Sequence, residues 1–359
     1  MSKKTKSQLI TYALVVCLFA LAFGLSATGM MSNSMVGLLV PICAYITMAI
    51  SLNLVVGISG ELSLGHAGFM SVGAFTGLAT SAALKYYGVI TAGPARLAVA
   101  MVAAGLFAAV AGILIGLPVL RLRGDYLAIV TLAFGEIIKN LMNNLYLGMD
   151  ASGLHVSMTD AKSLGMTGGT IIINGPQGAA GIDKLSSLVS GFVLVMFALF
   201  VVQNLIDSRS GRAIMAVRDN RIAAESVGVN VMKYRLMAFV VSAALAGMAG
   251  ALYAMNYSSI VPKKFDFNTS ILVLVFVVLG GMGNIRGGIL AAALLVWLPE
   301  QLRFIGDYRM LIYAIVLISV MLLTNNARVK AFMEGFRERR GMRQAGAAEG
   351  GDGKSARRA

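Results

Sequence analysis

Ten apolar stretches, most of them close to 20 residues long, dominate this 359-residue sequence. A helix needs about 20 apolar residues to cross the hydrocarbon core of a bilayer. The composition agrees, because 58% of the residues are hydrophobic and only 13% are charged. We therefore predict an all-α polytopic membrane protein of about ten transmembrane or partly re-entrant helices. The third, eighth and ninth spans are short or rich in glycine. The predicted spans are 8–29, 35–57, 60–83, 97–120, 125–146, 187–206, 236–258, 269–283, 287–304 and 308–324.

Lysine and arginine are concentrated in four polar segments between or beside these stretches, at 1–7, 121–125, 207–235 and 325–359. A formal net charge of +14 alone is compatible with nucleic-acid binding. This distribution, however, follows the positive-inside rule for cytoplasmic segments of membrane proteins. It predicts a multi-pass membrane protein with both termini in the cytoplasm, and no nucleic-acid partner.

The predicted domain organisation is a transmembrane domain, 8–324, between a short cytoplasmic N-terminus, 1–7, and a basic tail, 325–359. The tail lacks hydrophobic periodicity after its first part, which predicts disorder. The loop 147–185 falls on the outer side, is slightly acidic and is rich in glycine and threonine. We expect it to form a small surface element with a short strand at Thr170–Asn174.

Motifs for catalysis do not occur in the sequence. The glycine cluster at 280–287 lacks the lysine that follows the glycines of a phosphate-binding loop. The two histidines, His66 and His155, are far apart in the chain, and no paired carboxylates or metal-ligand spacings accompany them. The two cysteines lie in apolar runs. We therefore predict a protein that is not an enzyme and that has neither a cofactor nor a metal site.

The segment 57–69 contains five glycines, which disfavour a regular helix. An unwound segment would expose backbone groups that could line a path for a polar solute; the alternative is close helix packing through small residues. No acid stands alone in mid-membrane, which weakens an ion-coupled secondary carrier. The candidate path-lining residues, here and in the 280–287 cluster, are Gly60, Ser63, Gly65, His66, Gly68, Gly281 and Gly283.

The predicted cytoplasmic loop 207–235 contains a short amphipathic helix at about 220–227. Asp219 is the expected N-cap of this helix, and Gly228 suits the left-handed position that ends it. Such a helix fits a groove on a partner protein. The alternative is a connector that lies on the membrane surface.

Several dispersed motifs resemble one family, the LivM-type permeases of branched-chain amino acid ATP-binding-cassette (ABC) importers. They are the S-L-G-H-A-x-F stretch and four further segments that occur in the same order along nearly the whole chain. Each motif is weak alone, but together they are specific. The segments are 60–69, 123–137, 210–213 with 218–224, 238–250 and 280–287.

The resemblance implies a location in the cell inner membrane and a heterodimer with a second, related permease, together with two cytoplasmic ATPase subunits and an extracytoplasmic substrate-binding protein. It also implies that the family's E-A-A-x-x-x-G motif, which docks on the ATPase, lies in 207–235, with Ile222 in place of the glutamate. Permeases that carry urea or short amides have similar sequences, so the resemblance does not exclude those substrates. A stand-alone ion-coupled carrier is a second alternative. The ATPase-coupling candidates are Arg218, Asp219, Ala223, Ala224 and Gly228.

Overall fold

The structure, a computed structural model, describes residues 3–29, 31–122, 124–166 and 169–325. The chain divides into two compact units, one that ends at Glu300 and one that begins at Gln301. The helices of the first unit are α1 (Lys3–Ala27), α2 (Asn33–Asn53), α3 (His66–Tyr86), α4 (Gly93–Val119), α5 (Asp125–Asn143), α6 (Leu188–Asp207), α7 (Arg209–Asp219), α8 (Arg221–Ser226), α9 (Val231–Ala254), α10 (Phe267–Gly280) and α11 (Ile285–Gln301).

Each of the ten predicted spans corresponds to a helix, so the predicted polytopic all-α architecture is confirmed. Among the described residues, six helices are long and apolar enough to cross a membrane. The expected shortness of the eighth and ninth spans is also seen, since α10 has 14 residues and α11 has 17. In the third span the helix begins only at His66, because residues 60–65 have no regular secondary structure.

One end of the first unit, called the basic end below, carries the connections 120–124 and 207–231. Arg235 Nη1 at the start of α9 donates to the Leu120 carbonyl oxygen at 2.9 Å. Gln8 near the start of α1 donates its amide to Asp207 at the end of α6. These contacts place the ends of α4 and α6 beside the starts of α1 and α9.

The opposite end, called the sheet end, carries the long loop between α5 and α6. Its strands β1 (Tyr146–Asp150), β2 (Gly153–Ser157) and β3 (Thr170–Asn174) form an antiparallel sheet in the order β2-β1-β3. A second sheet pairs β4 (Ala179–Ala180) with β5 (Ser259–Ile260) and so joins this loop to the α9–α10 connection. The strand predicted at Thr170–Asn174 is confirmed.

The core of the first unit lies where α3, α4 and α9 approach closely through small residues. A Cβ atom on Gly73 of α3 would overlap the backbone of Gly247 of α9, and one on Gly250 would overlap the Met70 carbonyl oxygen. One on Gly247 would come within 2.7 Å of the Ala104 carbonyl oxygen of α4. Small residues let membrane helices gain dispersion energy at short separations. These glycines therefore fix the three-helix contact.

The second unit begins with a 3₁₀ segment, Leu302–Tyr308, which is interrupted at Gly306 by a φ of 66°. It continues as α12 (Arg309–Asn325). The predicted tail lies outside the described residues, apart from Asn325.

Candidate coupling segment and broken helices

The short helix α8 of the predicted coupling segment begins one residue later than expected. Asn220, not Asp219, is its N-cap, because the Ala223 backbone N–H donates to Asn220 Oδ1 at 3.0 Å. The Asp219 carboxylate is instead occupied by Arg218, whose Nη2 donates to it at 2.8 Å. The expected end of the helix is confirmed: Gly228 has a φ of +83°.

The two alanines of the coupling motif face in opposite directions. Ala224 is 4% exposed and packs with Val217 and Val231, whereas Ala223 is exposed. Ile222 and Val227, at 80% and 78% exposure, present apolar side chains to the surroundings of α8. A buried apolar cluster thus holds α8 against α7 and α9, while its outer face stays available to a partner.

Arg218 of α7 connects the coupling segment to the glycine-rich segment. Its Nη1 donates to the Gly57 carbonyl oxygen at 3.2 Å. Gly60 has a φ of +76°, and a Cβ there would come within 2.6 Å of Arg218 Cγ. The structure therefore brings the coupling candidate Arg218 together with the path candidate Gly60.

Two interrupted helices meet beside this contact. α2 continues into a π-helical turn, Leu54–Ser59, and α10 stops at a connection to α11 that contains Gly281 and Gly283, with φ values of +89° and +81°. The Gly283 N–H donates to Asn53 Oδ1 at 2.8 Å, and a Cβ on Gly57 would overlap the Gly283 nitrogen. The side-chain amide of Asn53 thus replaces a helical hydrogen-bond partner at the break.

A polar cavity of about 400 Å³ opens at this junction on the basic end. It lies between α1, the end of α6, α7 and the start of α11, next to the π-helical turn. Its polar lining includes Gln8, Thr11, Gln203, Asp207, Arg218 and Arg286.

A buried ion pair pins the glycine-rich segment to α9, and the sequence analysis missed it. Arg235 Nε donates to Glu61 Oε1, and the two side chains are 10% and 8% exposed. The Glu61 N–H also donates to the Val55 carbonyl oxygen at 3.0 Å. Lone charges are costly at this depth, so each of the two residues requires the other.

Gly65 and Gly68 lie where the segment approaches α5. A Cβ on Gly65 would overlap the Thr131 carbonyl oxygen, and one on Gly68 would come within 3.1 Å of Gly135 Cα. The Leu64 N–H donates to Thr131 Oγ1 at 3.0 Å. At these two positions the structure shows the close packing that was the alternative to a path lining.

The buried His66 and Ser63 lie inside the bundle. His66 Nε2 is 2.8 Å from Ser51 Oγ and 3.4 Å from Ser242 Oγ. Ser63 Oγ and His66 Nδ1 have no hydrogen-bond partner among the described residues. A polar group that is buried without a partner costs free energy, so these two atoms keep Ser63 and His66 among the candidates for contact with a polar solute.

An ion cluster anchors the loop at the sheet end. Asp183 accepts from Lys85 Nζ and from Arg96 Nη2, each at 2.7 Å. The hydrogen bond from Lys85 is the largest effect on the pKa of Asp183; burial opposes it, and the further bond from Arg96 helps to keep the pKa below its usual value. On β1, the bond from Ser152 chiefly lowers the pKa of Asp150, and His155 adds to that effect. These contacts tie the loop to the ends of α3 and α4.

The chain matches, over residues 34–321, the family described as the permease component of branched-chain amino acid transport systems. This protein belongs to that family. It is 36% identical over 332 residues to the high-affinity branched-chain amino acid transport system permease protein LivM of Escherichia coli, an alignment that covers 88% of this chain and 73% of that protein.

Two further relatives show how far the likeness extends. The E. coli permease protein LivH of the same kind of system is 24% identical over 70% of this chain and 79% of its own. The ribose import permease protein RbsC of Haemophilus influenzae is 28% identical over 40% of this chain and 50% of its own. No solved structure gives a significant match. The relatives are permease subunits, and the polytopic fold of this chain agrees with such a role.

Proposed function

We propose that this chain is the membrane-spanning permease subunit of an ABC importer that translocates branched-chain amino acids: leucine, isoleucine and valine. The 36% identity to LivM over 88% of the chain carries this proposal. The polar junction at the basic end gives it a physical basis.

The proposed complex contains a second, LivH-like permease, two cytoplasmic ATPase subunits and an extracytoplasmic substrate-binding protein. In this assembly the basic end faces the cytoplasm, in line with the positive-inside rule. The exposed apolar side chains of α8, Ile222 and Val227, then face the ATPase. The sheet end faces the binding protein.

The proposed mechanism is alternating access, driven from α8. Closure of the ATPase pair moves α8 and α7, which the cluster around Ala224 holds together. Arg218 passes this displacement to the backbone at Gly57 and Gly60, beside the break that contains Gly281 and Gly283. A helix break is a natural hinge, because its dihedral angles change without loss of a full ladder of hydrogen bonds.

We keep all seven path candidates as predictions but divide them by position. Gly60, Gly281 and Gly283 belong to the deformable junction, and Ser63 and His66 offer unpaired polar atoms. Gly65 and Gly68 contribute packing against α5, which positions the segment.

The test is solute uptake into proteoliposomes. The tagged chain is purified from its host together with the proteins that bind it, and radiolabelled leucine or urea is then offered with and without ATP. We expect leucine uptake that requires ATP and the whole complex. Uptake of urea in place of leucine would show that the importer carries urea or short amides. Transport by the lone chain on an ion gradient would reject the proposal.

A further inference from the structure

The polar cavity at the basic end has charges that favour an anion. Of the described residues that line it, two are arginines, Arg218 and Arg286, and one, Asp207, is an acid. Gln203, also in the lining, is buried, and its Oε1 has no hydrogen-bond partner among the described residues. The lining residues thus carry one more positive than negative charge, although Arg218 also pairs with Asp219 outside the lining, and Gln203 Oε1 is an acceptor that lacks a donor.

A second cavity, an apolar crevice of about 380 Å³, follows three of the same helices toward the sheet end. It separates α1 from α11, with α2 and α6 as its floor. α1 is seated on α6 through a stacked ring pair, Phe19 and Phe192, with centroids 4.2 Å apart. The crevice lining includes Val15, Phe19, Ala22, Leu290, Ala293 and Trp297.

The two cavities are neighbours along the same two helices. Thr11 lines the polar cavity and Val15 the crevice, and the two are four residues apart on α1. Arg286 and Leu290 have the same relationship on α11. Residues four apart share a helix face, so the polar cavity and the apolar crevice lie end to end along the same faces of α1 and α11, and together they are called the groove below.

We propose that this groove binds one anionic glycerophospholipid, with its phosphate at Arg286 and Arg218 and an acyl chain in the crevice. The crevice runs along α1 from Val15 to Leu25, about 15 Å at 1.5 Å per residue. That length matches one leaflet of a hydrocarbon core about 30 Å thick. Basic pockets between transmembrane helices on the cytoplasmic side suit acidic headgroups.

Gln203 Oε1 lacks a hydrogen-bond donor, so we expect a lipid whose headgroup can donate a hydrogen bond. The glycerol hydroxyls of phosphatidylglycerol supply such a donor. A helix of a second permease is the competing occupant of the crevice. It would fill the apolar slot but bring no phosphate to the arginines. Because Arg218 also contacts Gly57, the bound headgroup would touch the same side chain that we propose to link α7 to the helix break.

The headgroup is tested by lipid binding to the full-length chain, independently of the solute that it transports. The purified chain is delipidated, and phosphatidylglycerol or phosphatidylcholine is titrated back while bound lipid is counted by native mass spectrometry. We expect one phosphatidylglycerol per chain, bound more tightly than phosphatidylcholine. Arg286→Gln should weaken this binding about fivefold. Arg209→Gln, an exposed arginine at the same end outside the cavity, should leave it unchanged.

The crevice is tested by a variant that fills it. Ala22→Trp should abolish the bound lipid, while Ala109→Trp on α4, which lines neither cavity, should retain it. A photoreactive amino acid in place of Ala22 should cross-link to phospholipid in the membrane. Equal binding of the two lipids, unchanged binding in both Arg286→Gln and Ala22→Trp, or a cross-link to a polypeptide would overturn the proposal.

Discussion

The ion pair between Glu61 and Arg235 gives the sharpest test of the packing described here. Glu61→Gln leaves the buried guanidinium without its carboxylate, while its bond to the Leu120 carbonyl oxygen remains. Removal of one partner of a buried pair typically costs about 3–5 kcal/mol. Replacement of both by apolar groups is often neutral or stabilising, because no charge then has to be desolvated. We expect Glu61→Gln to lose about 3 kcal/mol, and Glu61→Leu combined with Arg235→Met to recover most of that loss.

The assay is unfolding of the purified chain in mixed micelles by titration with sodium dodecyl sulfate, followed by circular dichroism. The control is Glu225→Gln, which breaks the exposed pair with Arg221 on α8. Exposed pairs at this spacing are worth only about 0.3–0.5 kcal/mol. If Glu61→Gln lost no more free energy of unfolding than Glu225→Gln, or if the double variant lost as much as the single one, the pair would not be the buried interaction described here.

Three further outcomes follow from particular contacts. Ile222→Asp on the exposed face of α8 should change the free energy of unfolding by less than about 0.5 kcal/mol, yet it should abolish ATP-coupled uptake. Ala224→Asp places a charge in the buried cluster, so it should detach α8 and make it susceptible to proteolysis. Gly73→Ala should destabilise the chain by about 1–3 kcal/mol in the detergent titration through overpacking, while Gly24→Ala, which meets open space, should not. The lowered pKa of Asp183 stabilises the fold above the ordinary aspartate range, and this contribution is lost as pH falls through the lowered value. Asp183→Asn should therefore flatten the acid limb of a stability–pH profile.

Hydrophobic runs were sufficient to predict where the ten apolar helices lie, because only a helix satisfies its own backbone inside lipid, but they gave no sign of the polar helix α7. They were less informative about helix ends. The span predicted at 60–83 begins as a helix only at His66, and the one predicted at 269–283 ends at Gly280. Glycines precede the start of α3 and follow the end of α10. Their number in the sequence indicated a break in each span but did not predict the residue at which the helix begins or ends. The cytoplasmic side of the basic end remains a prediction.

The site was harder to predict, since its decisive contacts join distant residues. Glu61 and Arg235 are 174 positions apart, and many arginines in the basic segments were equally plausible partners. At the start of α8, Asp219 and Asn220 are both good N-caps, and local sequence does not choose between them. The choice follows from α7, which extends through Asp219 and leaves Asn220, with an extended φ of −154° and ψ of 104°, to cap α8.

Arg218 is the residue through which, in the mechanism that we propose, α7 and α8 act on the glycine-rich segment. Its guanidinium group donates both to the carboxylate of the neighbouring Asp219 on α7 and to the Gly57 carbonyl oxygen in the π-helical turn. We therefore expect a displacement of α7 either to break the bond to Gly57 or to carry the turn with it. Glu61 holds the following residues to α9, so the turn moves against a fixed neighbour. We expect motion to concentrate at Gly60, the one glycine between these two anchors, where the backbone yields at least cost.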